Sequence, residues 1–379
     1  MGNESSTPLS CDSVPYSIIA DPFVSIEDLH NEDQMSKICN YRKGLSYGAV
    51  WTLSPSKGLT PCSRTGHLTI YDKSKDTLII AYGIDSNGKY LNDMWSLDLN
   101  NESWTQINVG VGRVSPRAGA NGTLCGNKIY IFGGWNGKEY LSDFHTIDLD
   151  SGNIELIDME SSPSPRSTPL VYHSKSRIIV WGGFNGKYPN DLKYYDLTTK
   201  TWITISQQIS GRTGFSHVEY NDKLYIFGGS RIAGMTILDL SSLDLWVNPT
   251  NGPEPSSMIM NPSLALAHDC IVLVGGNKGK GDLYSYVYVY SIPNNSWSIL
   301  DIIPDFESVT YNDGTFTDVG KFAIPRTHSM SLVFVENCRK LCGVLGCPMS
   351  DPPTLFYLSM QEFLANQNLQ EDLLNTLSF

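Results

Sequence analysis

Ile129-Tyr130-Ile131-Phe132-Gly133-Gly134 is an alternating apolar run closed by a pair of glycines, and it recurs along the chain. Ile178 to Gly183 reads IIVWGG, Leu224 to Gly229 reads LYIFGG, and Ile271 to Gly276 reads IVLVGG. The closing glycines are 49, 46 and 47 residues apart. Another 51 residues upstream, Leu78 to Gly83 reads LIIAYG, with Tyr82 in the first glycine slot. An arginine keeps station 17 residues before the second glycine, in Arg117/Gly134, Arg166/Gly183 and Arg212/Gly229, and Arg64 precedes Gly83 by 19. The same count from Arg326 lands on Gly343, which marks a degenerate sixth copy with Cys342 in the first glycine slot. In the fifth copy the arginine slot holds Ile259.

Each copy continues in one order. A polar turn follows the glycines, Asn-Gly-Lys at 87–89, 136–138 and 185–187. An alternating run then ends in Asp-Leu at Leu99, Leu149, Leu197 and Leu240. A tryptophan run comes last, at Trp104, Trp202, Trp246 and Trp297, with Ile154 in that slot of the second copy. Alternation over four to eight residues is the signature of a strand. Each unit therefore carries four short strands. Such a unit cannot bury both faces by itself, and radial stacking of several buries them all, which is a β-propeller. Glycine allows close backbone approach, and tryptophan supplies a large apolar area between units.

This ordered set of arginine, glycine pair, aromatic strand and tryptophan resembles the kelch-repeat family over Trp51 to Ser359. Arg64-Thr65-Gly66-His67 is similar to the family's first-strand signature. The opening stretch Ala49–Leu53 through Pro61–His67 is also similar to a Rab small-GTPase effector that carries kelch motifs. The expected fold is all-β, a six-bladed kelch propeller with short helical N- and C-terminal extensions. Residues 1–48 form the N-terminal extension, with a short helix near Ser25–Cys39. Residues 49–359 form the propeller, and 360–379 a C-terminal helix opened by the capping pattern Ser359-Met360-Gln361-Glu362. Trp51 lies 13 residues before Arg64, as Trp104 lies 13 before Arg117. It thus occupies a fourth-strand slot with no partners ahead of it, and is expected to close the last blade and remove two open edges.

The composition agrees with many short strands: 17% charged residues, 33 Gly, 20 Tyr, 13 Phe and 8 Trp. A net charge of −12 lacks the electrostatic footprint of a nucleic-acid binder. No apolar run reaches the length of a bilayer span, and the first lysine, Lys37, comes too late for a secretory n-region. Eight irregularly spaced cysteines do not read as a disulfide framework. A cytoplasmic monomer with reduced thiols is expected. Met1-Gly2-Asn3-Glu4-Ser5-Ser6 fits the myristoylation pattern, so Gly2 is the one candidate for a membrane attachment.

Catalytic motifs are few. Gly44 to Gly48 spells G-x-S-x-G but lacks the preceding apolar strand. Gly83 to Lys89 approaches a P-loop, but Tyr90 stands where Ser or Thr is required. Cys338, Cys342 and Cys347 with His328 offer zinc-type ligands, against a simpler reading as buried strand cysteines. His67, His217 and His328 lie near first strands and are read as structural. No metal and no cofactor are expected.

The site signal is electrostatic. Loops after the second strand and loops before the first open on one face of a propeller. The first set carries Lys89, Lys138, Lys187, Arg231, Lys278 and Lys280, and the arginine slots Arg64, Arg117, Arg166, Arg212 and Arg326 approach from the same side. Trp135 and Phe184 directly follow glycine pairs. Clustered charge in a concavity focuses the field. The competing reading is that the arginines satisfy loop carbonyls as scaffold. The expected function is a non-enzymatic interaction module whose basic face grips an acidic segment or a small GTPase. The alternative is a carbohydrate-acting enzyme similar to the sialic-acid mutarotases with kelch repeats, for which an arginine-lined mouth would bind a sugar carboxylate. The acidic connection at 301–323 is expected to lie across the mouth.

Overall fold

The structure is a computed structural model describing residues 49–55, 59–110, 114–157, 160–206, 209–230, 234–252, 254–255, 258–277, 287–299, 302–304, 330–335, 340–344 and 354–359. Its regular units are five sheets of four antiparallel strands each, taken in chain order. Blade 1 runs Leu68–Asp72, Thr77–Ala81, Met94–Asp98 and Ser103–Ile107. Blade 2 runs Asn121–Cys125, Lys128–Phe132, Phe144–Asp148 and Ile154–Leu156. Blade 3 runs Leu170–Ser174, Arg177–Trp181, Leu192–Asp196 and Thr201–Ile205. Blade 4 runs Phe215–Tyr220, Lys223–Gly228, Met235–Asp239 and Leu245–Asn248. Blade 5 runs Ser263–Ala267, Cys270–Val274, Val287–Ser291 and Ser296–Ile299.

The expectation of six like units needs correction at the last. Beside a two-stranded pairing of Arg64–Thr65 with Ile84–Asp85, a last sheet has five strands, ordered Ile302–Pro304, Ala49–Pro55, Thr354–Ser359, Lys340–Val344, Ser331–Val335. Ala49–Pro55 lies antiparallel to Thr354–Ser359, with Trp51 opposite Leu358. Ile302–Pro304 then adds in parallel along Ala49–Trp51. This composite sheet is thus drawn from both ends of the described chain, because its own repeat supplies only three strands. The expected helices fall on residues 1–48 and 360–379, outside the described residues, and among the described residues there is no helix.

The sheets stack face to face through side chains of inner and outer strands alike. Phe132 and Phe144 of blade 2 pack with Val171, Ile178, Val180 and Trp202 of blade 3. Phe227 and Ile237 of blade 4 pack with Leu273, Tyr290 and Trp297 of blade 5. Leu78, Trp95 and Trp104 of blade 1 pack with Val333, Val335, Cys342 and Val344 of the composite sheet, so the last sheet returns to the first. His67 Nε2 and Thr69 Oγ1 reach Ser331 Oγ across the same seam, at 2.9 and 2.7 Å. Burying each such large apolar side chain contributes about 1.5–3 kcal/mol, which makes these seams the main source of stability. The Asp of each Asp-Leu pair caps the turn to the fourth strand: Asp148 Oδ1 accepts from Ser151 N, and Asp196 Oδ1 from Thr198 N and Thr199 N.

Candidate functional site

The repeated arginines hold the blades in register. Nη1 of Arg64, Arg117, Arg166 and Arg212 donates to the carbonyl in the first glycine slot of its own blade, Tyr82, Gly133, Gly182 and Gly228, at 3.0–3.1 Å. The second glycine of each blade donates its N–H to the arginine-slot carbonyl of the next: Gly83 to Arg117, Gly134 to Arg166, Gly183 to Arg212 and Gly229 to Ile259. A Cβ at Gly182 would meet the Arg212 carbonyl at 2.8 Å, which is why this slot excludes most side chains. Tyr82 fills the corresponding slot of blade 1 at φ 62°, in the left-handed region, and its hydroxyl lies 3.0 Å from His145 Nε2 of blade 2.

Three of the arginines also pair with an aspartate that precedes the third strand. Arg64 holds Asp93 through two bonds of 2.6 and 2.8 Å, Arg117 holds Asp143 at 2.6 Å, and Arg166 holds Asp191 at 2.8 and 2.9 Å. Burial works against the charge on Asp143, but hydrogen bonds from His145 and Arg117 outweigh it and hold its carboxyl at about 2. Arg212 sits where burial lowers the guanidinium to about 10. All four arginines are at most 1% exposed. Buried to this degree they stand behind the surface rather than on it, and the basic mouth drawn from these four must be corrected. The charges of Arg64, Arg117 and Arg166 are offset within the wall by Asp93, Asp143 and Asp191.

What reaches the surface of this face is a different set. Lys89, Lys138 and Lys187 are exposed at the tips of the loops that follow the second strands of blades 1–3. Each tip is shaped by an acceptor side chain: Asp85 Oδ1 takes the N–H of Asn87 and Lys89, Asn136 Oδ1 that of Lys138 and Glu139, and Asn185 Oδ1 that of Lys187. Between the tips runs a row of half-buried rings. Trp135 meets Tyr140 at 4.7 Å between centroids, Tyr140 meets Phe184 at 6.0 Å, and Phe184 meets Tyr188 at 5.2 Å. Tyr90 of blade 1 packs over Gly137, where an added Cβ would come within 2.9 Å of its ring. Trp135 and Phe184 are bridged to Ala118 and Ser167, each one residue past an arginine. The sequence reading found Trp135 and Phe184 but not Tyr90, Tyr140 and Tyr188. Their signal was a tyrosine five to seven residues after each second glycine.

Arg231, Lys278, Lys280, Arg326, Gly2 and the acidic stretch 305–323 lie outside the described residues, as do His328, Cys338 and Cys347. Cys342 is buried in Lys340–Val344, opposite Val333 and Tyr357. Burial holds both His67 and His217 neutral, at about 4, with the Arg64 charge adding to the effect at His67. Among the described residues no three His, Cys, Asp or Glu side chains converge on a metal position. A cavity of about 510 Å3 is lined by first-strand residues, among them Thr69, Tyr172, His217, Ser263 and Ser331.

The model of the KLHDC2/KLHL20/DRC7 Kelch-repeats domain matches residues 47–229 and 159–312. Kelch domain-containing protein 1 of Mus musculus is 24% identical over 64% of this chain and 70% of its own length. Host cell factor 1 of Homo sapiens is 28% identical over 47% of this chain, which spans only 10% of that protein. Acyl-CoA-binding domain-containing protein 5 of Arabidopsis thaliana is 26% identical over 60% of this chain and 47% of its own length. The repeat order, the ring of sheets and this match agree: the chain belongs to the kelch-repeat β-propeller family.

Proposed function

We propose that this propeller is a non-enzymatic protein-interaction module whose ligand is a segment of a partner protein carrying both acidic and apolar side chains. The observation that supports this reading is the row of half-buried rings, Trp135, Tyr140, Phe184 and Tyr188, set between the exposed ammonium groups of Lys138 and Lys187. Aromatic anchors flanked by charge are the composition of interface hot spots. Lys89 extends the same surface to blade 1. A small GTPase with an acidic face is one partner that suits this chemistry. The sugar-acid enzyme reading is weakened, since Arg64, Arg117 and Arg166 are buried and paired with aspartates and Arg212 is buried.

The test uses a fluorescent peptide of five Glu-Leu repeats as probe. Trp135→Ala with Phe184→Ala should weaken its binding by about tenfold, while the melting curve stays close to that of the native chain. Lys138→Glu with Lys187→Glu should weaken binding and flatten its salt dependence. Unchanged probe affinity in both variants refutes the placement on this face.

A further inference from the structure

Ser115-Pro116-Arg117 and Ser164-Pro165-Arg166 place the same tripeptide at the same point of two adjacent repeats, on the loop that leads into the first strand. Both serines and both prolines are exposed, while the arginines behind them are buried. Ser164 Oγ accepts from Arg166 Nη2 at 2.7 Å and from Asn185 Nδ2 at 3.4 Å. Asn185 is also the residue that shapes the tip bearing Lys187. Lys193 anchors the same loop, donating to the carbonyls of Ser161 and Ser162 at 3.0 and 3.1 Å. Ser115 Oγ accepts from Arg117 Nη2 at 3.1 Å. Each serine is thus an exposed residue whose hydroxyl already accepts from the buried arginine behind it. The pattern is confined to blades 2 and 3, the blades that carry the ring row. The slot is Cys62-Ser63 before Arg64 and Ser210-Gly211 before Arg212, neither followed by proline.

We propose that Ser164 and Ser115 are phosphorylation sites for a protein kinase directed to Ser-Pro, and that phosphate there reverses the charge of the recognition face. In the modification Ser Oγ attacks the γ-phosphorus of ATP. The Oγ–P bond forms, the bond from that phosphorus to the bridging oxygen breaks, ADP leaves, and the hydroxyl proton passes to the kinase's base. Each phosphate carries about −1.5 to −2 charges at pH 7 and brings three acceptor oxygens. At Ser164 these oxygens would lie beside Asn185 Nδ2 and compete with Asp191 for Arg166 Nη2, which already donates to both Ser164 Oγ and Asp191. The tips of blades 1–3 hold Lys89, Lys138 and Lys187 against Asp85 and Glu139, a small positive excess. Two phosphates outweigh that excess and turn the face acidic. The switch rests on the reading of this face as a site for acidic segments; the modification itself does not.

The experiment treats the full native chain with a proline-directed kinase and ATP, and maps phosphate by mass spectrometry. Phosphate is expected on Ser164 and Ser115 and absent from Ser210. Ser164→Ala and Ser115→Ala should each remove one group. The doubly phosphorylated chain should bind the Glu-Leu probe about tenfold more weakly, with recovery after phosphatase treatment and no loss in the kinase-treated double variant. Phosphate on Ser164 of a synthetic peptide spanning residues 160–168, which also holds Ser162-Pro163, but on neither Ser115 nor Ser164 of the native chain overturns the sites. Phosphate on both with unchanged probe affinity overturns the charge switch. If the unmodified chain does not bind the probe, the functional reading fails, and the phosphate map still decides the sites.

Discussion

Removing the carboxylate of Asp191 separates a scaffold arginine from a binding arginine. Arg166 is fully buried and gives Nη1 to Gly182 and Asp191, Nη2 to Asp191 and Ser164, and Nε to the Ser164 carbonyl. Asp191→Ala deletes both charge-assisted bonds of the pair and leaves a guanidinium in a poorly solvated wall. Breaking a buried ion pair from one side costs about 3–5 kcal/mol. Asp191 keeps 28% of its side chain exposed, so water screens part of that loss and the low end, about 3 kcal/mol, applies. In a chain of this length the shift in melting temperature is then roughly 4–5 °C. A urea melt followed by tryptophan fluorescence reads the loss directly, and Arg166→Met with Asp191→Leu should recover most of it, because no charge is left unpaired. Below the transition, binding of the Glu-Leu probe should match that of the native chain. A loss under about 1 kcal/mol, or a normal melt with lost binding, would refute the assignment of Arg166 to the wall.

Asp93 is held below its usual range because hydrogen bonds from Arg64 and Trp95, with the Arg64 charge, outweigh the opposing effect of burial. Its contribution is therefore present above the unfolded carboxylate range and lost as pH falls, so the stability gap between the native chain and Asp93→Asn should shrink in urea melts below about pH 4. Tyr82→Gly relieves a left-handed backbone, worth about 1–2 kcal/mol, but removes a ring that is 2% exposed and its contact with His145, so net destabilisation of about 2 kcal/mol is expected by calorimetry. Thr168 is a β-branched residue at φ 48°, in a slot that Gly66, Gly119 and Gly214 fill elsewhere. Thr168→Gly should cost less than about 1 kcal/mol, the relieved strain offsetting the lost hydroxyl contact with Thr213, and a loss above about 2 kcal/mol would mean the hydroxyl pair governs that seam.

The glycine pairs, the Asp-Leu ends and the tryptophan slots made the regular blades legible, because each is a backbone or packing requirement that repeats with the strands. The role of the arginines was not, since a scaffold arginine and a surface arginine look alike in one repeat. The distinction lies in Asp93, Asp143 and Asp191, which stand 29, 26 and 25 residues downstream and precede a third strand each time. That pairing becomes visible only when the second and third strands are laid side by side. Ile302–Pro304 was illegible for another reason. Three residues ending in proline do not read as a strand, yet an outer parallel edge tolerates proline because its N–H is not needed.

A position that recurs in every blade must satisfy the same neighbours in every blade, and those neighbours are the adjacent sheets. The arginine donates to its own blade's glycine slot, the preceding blade's second glycine donates to the arginine carbonyl across the seam, and in blades 1–3 an aspartate closes the pair, so this repeated geometry is spent inside the ring. Recognition of one partner needs asymmetry, which a closed ring of similar units lacks. It therefore has to come from positions where the blades differ on the same face. Trp135 and Phe184 follow the glycines of blades 2 and 3, where blade 4 has Ser230 and blade 5 has Asn277. The Ser-Pro-Arg tripeptides occur in those same two blades and in neither neighbour. Rings, lysine tips and Ser-Pro-Arg hydroxyls thus coincide on one arc of the face, and the proposed function uses that coincidence as the single recognition side of a pseudosymmetric ring.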